Sequence, residues 1–533
     1  MTSQLNQLLQ TNVLMFILQQ CFISGTLFSD YINYFEPVYY DEQELHTQHK
    51  IVQRSPDSTL RLDFHAFGRS FKIRLKSDSS VFSPDLIVED SHGPISFDTR
   101  GSYVGKLEEE KSFVHGIITS SGHFEGMIKL PVDTYVIERA VHHGNGLEPG
   151  AFHSVIYDVK HVTFNSTICK SNQNHKHILV NDEMLHQNHN YWTNNARNHV
   201  IQKRAIVAGK TTCSLYVQAD HLFYQKFSSN TDIVLEQLTR HVQAVNTIFQ
   251  PIDFDQDGSP DNIQFVIKRM KVYTDPNAAG YKFPLKNYGV EKFLDLHSQE
   301  DYDQFCLSYI FTNRDFNDGV LGLAWTASLD QNVAGGVCET YKKFSDGQKS
   351  LNTGLVTLLN YGKDVPSAVS YTTFAHEIGH NFGSNHDPEN NAQCSPGGDN
   401  GNYIMYARAT SGTQSNNEKF SSCSIKEVGP ILAAKARDSN GCFIEYPASI
   451  CGNKVVETGE FCDCGWEDEC SETCCNPQKT TSTGPTPCTL KGGSVCSPSA
   501  SWCCSSSCNW YTVGDSHVCR ANTSCMQESV CQW

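Results

Sequence analysis

The chain has 533 residues, a formal net charge of −17 and 22 cysteines. Its length exceeds what one hydrophobic core supports and predicts roughly three or four domains. The acidic charge argues against nucleic acid as a partner, because a phosphate backbone is bound by a basic surface. Fourteen cysteines lie within 451–531, where large aliphatic residues are few. Disulfides therefore replace a core in that segment, which predicts an oxidising compartment and passage through the secretory pathway.

Residues 1–25 are predicted to be a signal peptide. Val13–Leu18 is an apolar run, and Ser24-Gly25 provides small residues for cleavage. No Lys or Arg precedes the run, which departs from the usual charged start of such a peptide. No later stretch reaches ~18 consecutive apolar residues, so the sequence predicts no membrane-spanning helix.

Residues 26–204 are predicted to form a β-rich domain. Apolar and polar residues alternate in Leu60–Phe64 and in Phe71–Leu75, which is typical of half-buried strands. The stretch from about 170 onward is polar and ends in Lys203-Arg204. We expect it to be an exposed linker that processing proteases cut after Arg204. Two ordinary surface bases are the alternative, because the stronger Arg-x-x-Arg pattern is missing.

Residues 205–446 show a mixed α/β pattern. Apolar residues at helical spacing predict a helix over 234–249, and the apolar runs 263–267 and 307–311 predict strands. Leu321–Trp325 is predicted to be an edge strand whose glycine lets another backbone approach closely.

A metal-binding pattern follows in this region. His376, Glu377, His380, Gly383 and His386 form the run H-E-x-x-H-x-x-G-x-x-H. The first two histidines are four residues apart and therefore share one face of a helix. Gly383 can end that helix in a left-handed turn, which brings the third imidazole to the other two. Three neutral imidazoles leave the fourth tetrahedral position of Zn²⁺ open for water, as in catalytic zinc sites.

Glu377 is the predicted general base. A carboxylate next to a zinc ligand can accept the proton of the attacking water and pass it to the leaving amine. A charge on the helix surface is the alternative. The backbone of Gly322, Leu323 and Ala324 is predicted to bind an extended substrate by strand addition.

Further motifs carry a family resemblance. Nineteen residues after His386, Met405 lies in a segment that resembles the methionine turn beneath the zinc of the metzincin proteases. It is expected to support the site without binding the metal; a Met that only fills space is the alternative. With Asp387 directly after the third ligand, the zinc run resembles that of the adamalysin branch of the metzincins. Cys451–Asn453 and Glu460–Gly465 resemble the head of a disintegrin module.

Together these motifs identify the chain as a member of the ADAM family, whose proteins combine pro-, metalloprotease and disintegrin domains. Three motifs resemble its Kuzbanian-type, Notch-cleaving branch: Asp318–Trp325, Phe374–Glu377 and Tyr403–Gly412. The predicted fold class is multidomain. We expect a β-rich propeptide domain (26–204), an α/β metzincin protease domain with a mixed twisted sheet and long helices (205–446), and a disulfide-rich disintegrin-like domain with little regular structure (447–533).

The resemblance also implies how the enzyme is kept inactive. A propeptide cysteine thiolate is expected to bind the zinc, and Cys169 is the candidate because it is the only cysteine within 26–204. Its neighbours Thr167–Ser171 do not match the usual switch sequence of the family, and an inert free thiol is the alternative. The six cysteines of the protease region could pair in several ways. The resemblance implies the disulfides Cys213–Cys306, Cys338–Cys442 and Cys394–Cys423.

The resemblance places calcium ligands at the start of the disintegrin-like domain. They are Asn453, Glu457, Glu460 and Asp463, whose oxygens suit a hard cation. A solvated acidic loop is the alternative. Two N-glycosylation sequons begin at Asn165 and Asn522.

The predicted function is that of a zinc metalloendopeptidase, made as a zymogen, that sheds the ectodomains of membrane proteins. The implied substrates are type I membrane proteins, Notch-type receptors among them, and the implied partners include membrane-protein regulators. We expect the protein at the cell surface, or secreted if the chain ends at Trp533. The alternative is a non-enzymatic adhesion or decoy protein that acts through its disintegrin-like domain. The intact zinc pattern favours the enzyme.

Overall fold

A computed structural model provides the fold of the chain. It describes residues 29–54, 59–140, 152–164, 206–207, 209–330, 332–408, 412, 414–445, 451–452, 456, 460–467, 470–479, 484–501, 503–512, 515, 518–520 and 529–531. None of the helices in these ranges is both long enough and apolar enough to cross a membrane.

The described ranges contain short strands and few long helices. The α-helices are α1 (Glu42–Arg54), α2 (His221–Lys226), α3 (Thr231–Phe249), α4 (Val290–His297), α5 (Ser367–Asn381) and α6 (Ser422–Ile431). The strands of the N-terminal region are β1 (Glu36–Val38), β2 (Thr59–Ala66), β3 (Arg69–Ser77), β4 (Phe82–Asp90), β5 (Gly93–Pro94), β6 (Ser102–Leu107), β7 (Phe113–Ile118), β8 (Phe124–Lys129), β9 (Thr134–Arg139) and β10 (Ser154–Asp158). The later strands are β11 (Thr212–Ala219), β12 (Gln264–Val272), β13 (Leu307–Thr312), β14 (Gly322–Ala324), β15 (Lys342–Phe344), β16 (Gly347–Lys349), β17 (Thr353–Thr357), β18 (Leu359–Asn360), β19 (Lys363–Asp364), β20 (Val518–Arg520) and β21 (Ser529–Val530).

The N-terminal region forms an eight-stranded antiparallel sheet in the order β1-β10-β9-β8-β7-β6-β3-β2. The alternation of apolar and polar residues noted in the sequence directs the apolar side chains to the buried face of this sheet. Leu60, Leu62 and Phe64 of β2 are buried while the residues between them are exposed. Leu62 lies opposite Ile73 of β3, which is also fully buried.

The protease region is built on a seven-stranded mixed sheet in the order β14-β17-β13-β11-β12-β4-β5. Its central strands are parallel, and every residue of β11 is buried, as expected for a strand covered on both faces. Helices α3 and α5 pack against each other and against this sheet. The apolar sides of both helices join one hydrophobic core with the central strands.

Two strands of this sheet, β4 and β5, come from the region predicted to be the propeptide. Strand β4 pairs in parallel with β12, so that Val88 lies opposite Met270. The N-terminal sheet also packs against the protease through a shared apolar cluster, in which Val136 and Tyr157 join Leu321 and Ala368. The predicted propeptide thus contributes to the protease sheet as well as forming its own.

The C-terminal segment has little regular structure in its described residues and is held by disulfides, as predicted. Six of them join residues between Cys451 and Cys531. The structure therefore confirms the predicted fold class: a β-rich N-terminal region, an α/β protease region and a disulfide-rich tail.

Candidate zinc centre

Helix α5 carries the first two histidines of the zinc pattern. Phe374 and Ile378 of this helix are fully buried in the core, which fixes the helix on the sheet. The helix stops just before Gly383, whose φ of +95° is left-handed. The Gly383 N–H donates to the carbonyl of His380 at 2.8 Å. A Cβ at Gly383 would lie 2.6 Å from Cγ1 of Ile431, so a larger residue would clash there as well.

The three predicted ligands converge beyond this turn. His386 Nε2 lies 3.2 Å from Nε2 of both His376 and His380. His376 Nδ1–H donates to the Ile404 carbonyl at 2.6 Å, and His380 Nδ1–H donates to the Ser384 carbonyl at 2.8 Å. A carbonyl only accepts, so Nδ1 carries the proton in His376 and His380, and each neutral ring can offer its Nε2 lone pair to a metal.

These nitrogens fit a zinc ion. Zinc–nitrogen bonds of ~2.0–2.1 Å place two ligands of a tetrahedral site ~3.3–3.4 Å apart, close to the observed separations. At most one of the two close nitrogen pairs can be a hydrogen bond, because His376 and His380 have no proton to offer at Nε2. Burial lowers the pKa of His376 to about 4, which favours the neutral, metal-binding form. The carbonyls that accept from Nδ1 hold the two rings in the orientation that metal binding needs.

Met405 lies beneath the helix that carries the ligands. Its side chain is fully buried, and its Sδ would be 2.4 Å from a Cβ placed on Gly379. The Asp387 N–H donates to the Met405 carbonyl at 2.9 Å, which ties the residue after the third ligand to the methionine turn. The Asp387 carboxylate is buried and accepts from the hydroxyls of Ser421 and Ser424 at the start of α6. Burial raises the pKa of Asp387 to about 6.

Glu377 directly follows the first ligand, His376, on helix α5. It is fully buried, and neither of its carboxylate oxygens has a hydrogen-bonding partner among the described residues. Burial raises its pKa well above the ordinary range, because removal from water disfavours the charged form. A buried carboxyl group without a partner is costly unless it serves a proton transfer or faces a cation.

Strand β14 lies at one edge of the seven-stranded sheet, as the edge-strand prediction requires. Its glycine has a different neighbour from the expected one. A Cβ at Gly322 would lie 2.5 Å from Oε1 of Glu377, so the absent side chain makes room for the Glu377 carboxylate rather than for another backbone. Leu323 and Ala324 continue the strand, and β14 is paired only with β17 within the described sheet.

Asn381 is a positioning residue that the sequence analysis missed. Its amide donates to the carbonyl of Trp325 at 2.9 Å, and its Oδ1 accepts from the hydroxyl of Tyr309. The end of the zinc helix is thereby joined to the end of the edge strand. A polar side chain on the buried side of the predicted helix was the available signal. The Ile404 and Ser384 carbonyls offered none, because backbone groups are the same in every residue.

The family of this chain follows from its similarity to known proteins. The family model for Metallo-peptidase family M12 matches residues 209–421. Disintegrin and metalloproteinase domain-containing protein 10 of Bos taurus is 41% identical over 494 residues, covering 85% of this chain and 62% of the relative. The Homo sapiens protein of that name is 41% identical over 479 residues, with the same two coverages. The homolog of protein 10 from Caenorhabditis elegans is 32% identical over 535 residues, covering 86% of this chain and 57% of the relative. The chain belongs to the ADAM family.

This ADAM chain spans about 62% of the length of its mammalian relatives. The predicted Kuzbanian-type branch is supported by the same matches. The protease region contains the three disulfides that the resemblance implies, Cys213–Cys306, Cys338–Cys442 and Cys394–Cys423.

Several predicted residues of this ADAM protein lie outside the described ones: Cys169, Arg204, Asn165, Asn522, Asn453 and Glu457, together with the predicted signal peptide. Of the expected calcium ligands, Glu460 and Asp463 are described. The two carboxylate oxygens of Asp463 accept backbone N–H groups of Gly452 and Gly465, each at 2.8 Å.

Proposed function

We propose that this chain is a zinc metalloendopeptidase made as a zymogen. The observation that supports it best is the convergence of three imidazole nitrogens, together with a buried carboxyl group on the helix that carries two of them. His376, His380 and His386 supply the nitrogens, and Glu377 is oriented by no other group of the described protein. A merely structural zinc site has four protein ligands and no use for a neighbouring base.

The residues of the site have different roles in the hydrolysis. Zinc, when bound by the three histidines, lowers the pKa of a water ligand toward about 7 and polarises a carbonyl group. Glu377 accepts the proton of the attacking water and then donates it to the leaving amine. Its buried position favours this, since a raised pKa makes the carboxylate a stronger base than in water. Gly322 keeps the space that the Glu377 side chain occupies.

The substrate is an extended polypeptide. Strand β14 has one neighbour in the sheet, so its other edge offers backbone N–H and C=O groups for pairing with a peptide. Leu323 and Ala324 supply these groups next to the catalytic carboxyl. Asn381 holds the far end of the strand through the Trp325 carbonyl, which keeps the paired peptide in line with the zinc site.

The proposed substrates are juxtamembrane segments of type I membrane proteins, with Notch-type receptors among them. Membrane-protein regulators are the proposed partners. The resemblance of the protease motifs and the similarity to protein 10 of the family support this substrate class. The nine disulfides of the described residues fit the secretory pathway and either the cell surface or the extracellular space.

The zymogen is proposed to be silenced by Cys169 and released by cleavage after Arg204. The close packing of the N-terminal sheet against the protease supports an inhibitory role for 26–204. In the disintegrin-like domain, Asn453, Glu457, Glu460 and Asp463 are proposed to bind Ca²⁺. N-glycans are proposed on Asn165 and Asn522.

The test is cleavage of a quenched peptide with a juxtamembrane sequence by chain cut after Arg204. We expect turnover that a chelator removes and added Zn²⁺ restores. Folded, zinc-loaded and correctly processed protein without turnover would refute the enzyme and favour the adhesion or decoy alternative.

A further inference from the structure

A second group of metal-binding side chains lies in the N-terminal region. Glu42 begins helix α1, His123 directly precedes β8, and His153 directly precedes β10. His123 Nε2 is 3.3 Å from Glu42 Oε2, and His153 Nε2 is 3.5 Å from Glu42 Oε1. Segments that are far apart in the sequence thus bring two imidazoles and one carboxylate together.

The separations fit a tetrahedral metal site. Bonds of ~2.0–2.1 Å from zinc to histidine nitrogen and carboxylate oxygen place neighbouring ligand atoms ~3.3–3.4 Å apart. The contacts of Glu42 with the two imidazoles, 3.3 and 3.5 Å, are close to this length, and the ligand nitrogens of the catalytic centre are similarly spaced at 3.2 Å. The ring centroids of His123 and His153 are 5.0 Å apart, and each Nε2 lies near one oxygen of the same carboxylate.

The other nitrogen of each imidazole has a hydroxyl partner. His123 Nδ1 is 3.1 Å from Oγ of Ser121, and His153 Nδ1 is 2.8 Å from Oγ of Ser154. A hydroxyl can accept from Nδ1–H, and this arrangement leaves the Nε2 lone pair directed at the cluster. Metal-binding histidines commonly have such a partner, which fixes the tautomer and the direction of the ring.

Burial and access also favour a metal site. The side chains of His123 and His153 are 12% and 18% exposed, whereas Glu42 is 49% exposed, so an ion and a water molecule can enter beside the carboxylate.

We propose that Glu42, His123 and His153 bind a second Zn²⁺ ion, with solvent as the fourth ligand. Imidazole nitrogens select a zinc-like ion over Ca²⁺ or Mg²⁺, which prefer oxygen ligands alone. The ion crosslinks the start of helix α1 to the strands β8 and β10. It lies in the predicted propeptide and is distinct from the catalytic centre in its ligands.

The test counts zinc ions in the full-length chain. The secreted protein is equilibrated with buffered Zn²⁺ and its metal content is measured by mass spectrometry. We expect two zinc ions per chain in the parent and one in the double variant His123→Ala/His153→Ala. The control is His65→Ala, which removes an exposed histidine of β2 and should keep both ions. One ion in the parent, or two in the double variant, would overturn the proposal.

Two milder variants test the second zinc site if the double variant is not secreted. Glu42→Gln changes a partly exposed side chain, and Ser121→Ala removes a hydroxyl beside His123. Each should weaken binding of the second zinc by ~10–100-fold in a titration with Zn²⁺, while the first ion stays bound. Unchanged affinity for the second ion in both variants would also overturn the site.

Discussion

Specific neighbours position three of the four functional side chains of the zinc centre. Backbone carbonyls of Ile404 and Ser384 orient two of the imidazoles, and a missing side chain at Gly322 makes room for the Glu377 carboxyl. The absence of a Cβ has the same effect at Gly379, where the sulfur of Met405 packs on the helix. Small residues are therefore as necessary to this site as the ligands are.

Gly379→Ala is predicted to destabilise the protein by about 1–3 kcal/mol, because the new Cβ would overlap the Met405 sulfur and also approach Phe420 at 3.1 Å. The free energy of unfolding, from denaturant titration of the full chain, measures this. Gly492→Ala is the control, since no atom lies within 4 Å of its Cβ position. A Gly379 variant as stable as the control would show that the methionine does not pack on the helix as described.

Buried polar side chains of helix α3 connect it to neighbouring secondary-structure elements. His241 donates from Nδ1 to the Gln237 carbonyl at 2.7 Å, and its Nε2 lies 2.9 Å from the Ser370 hydroxyl of helix α5. On the side of the N-terminal sheet, Arg240 forms a buried ion pair with Glu125 of β8. One helix thus connects the zinc helix to the predicted propeptide.

The His241 contact predicts a pH dependence of stability. Burial lowers the pKa of His241 to about 3 from an ordinary 6.5. The unfolded chain takes up a proton below pH 6.5 and the folded chain does not, so stability present above pH 6.5 is lost as the pH falls. Between pH 6 and pH 5 the parent should lose about 1 kcal/mol more than His241→Gln, measured by denaturant titration at each pH. His65→Gln should keep the slope of the parent, and an equal slope in the His241 variant would contradict the prediction.

The Arg240 ion pair predicts how firmly the predicted propeptide (26–204) is held to the protease region. Arg240→Met leaves the Glu125 carboxyl buried without its cation, which costs about 3–5 kcal/mol for a buried pair. After cleavage behind Arg204, the propeptide should therefore leave the variant faster than it leaves the parent, as followed by size-exclusion chromatography over time. Lys72→Met is the matched control, because the Lys72–Glu109 pair is exposed to solvent and contributes little to stability. Equal release rates would mean that the ion pair does not hold the two parts together.

At the scale of the whole molecule, the elements were largely predictable and their connection was not. Local patterns were sufficient for the strands around Leu60–Phe64 and for the zinc helix, because alternation and helical spacing are properties of neighbouring residues. The pairing of β4 with β12 joins residues ~180 apart in the sequence, and such pairing leaves no local signal. The same holds for Asn381, whose role depends on where β14 lies.

The predictable part of the site was its ligand set. The spacing of His376, Glu377, His380 and His386 follows from the geometry of one helix and one turn. The supports of that set come from distant segments, as with the serines that donate to Asp387, and for that reason the sequence did not indicate them. The N-terminal cluster of Glu42, His123 and His153 was missed for the same reason, since its members lie on three separate elements.

The central claim is that this fold positions Glu377 as the base of a zinc peptidase. Its most direct test compares peptide turnover and zinc content of Glu377→Ala with those of the parent, both cut after Arg204. Exposed Glu389, in the loop after the third ligand, provides the control variant Glu389→Ala. We expect the Glu377 variant to keep its zinc and lose at least ~10²-fold in kcat, while the control stays active. A zinc-loaded Glu377 variant with the turnover of the parent would contradict the account.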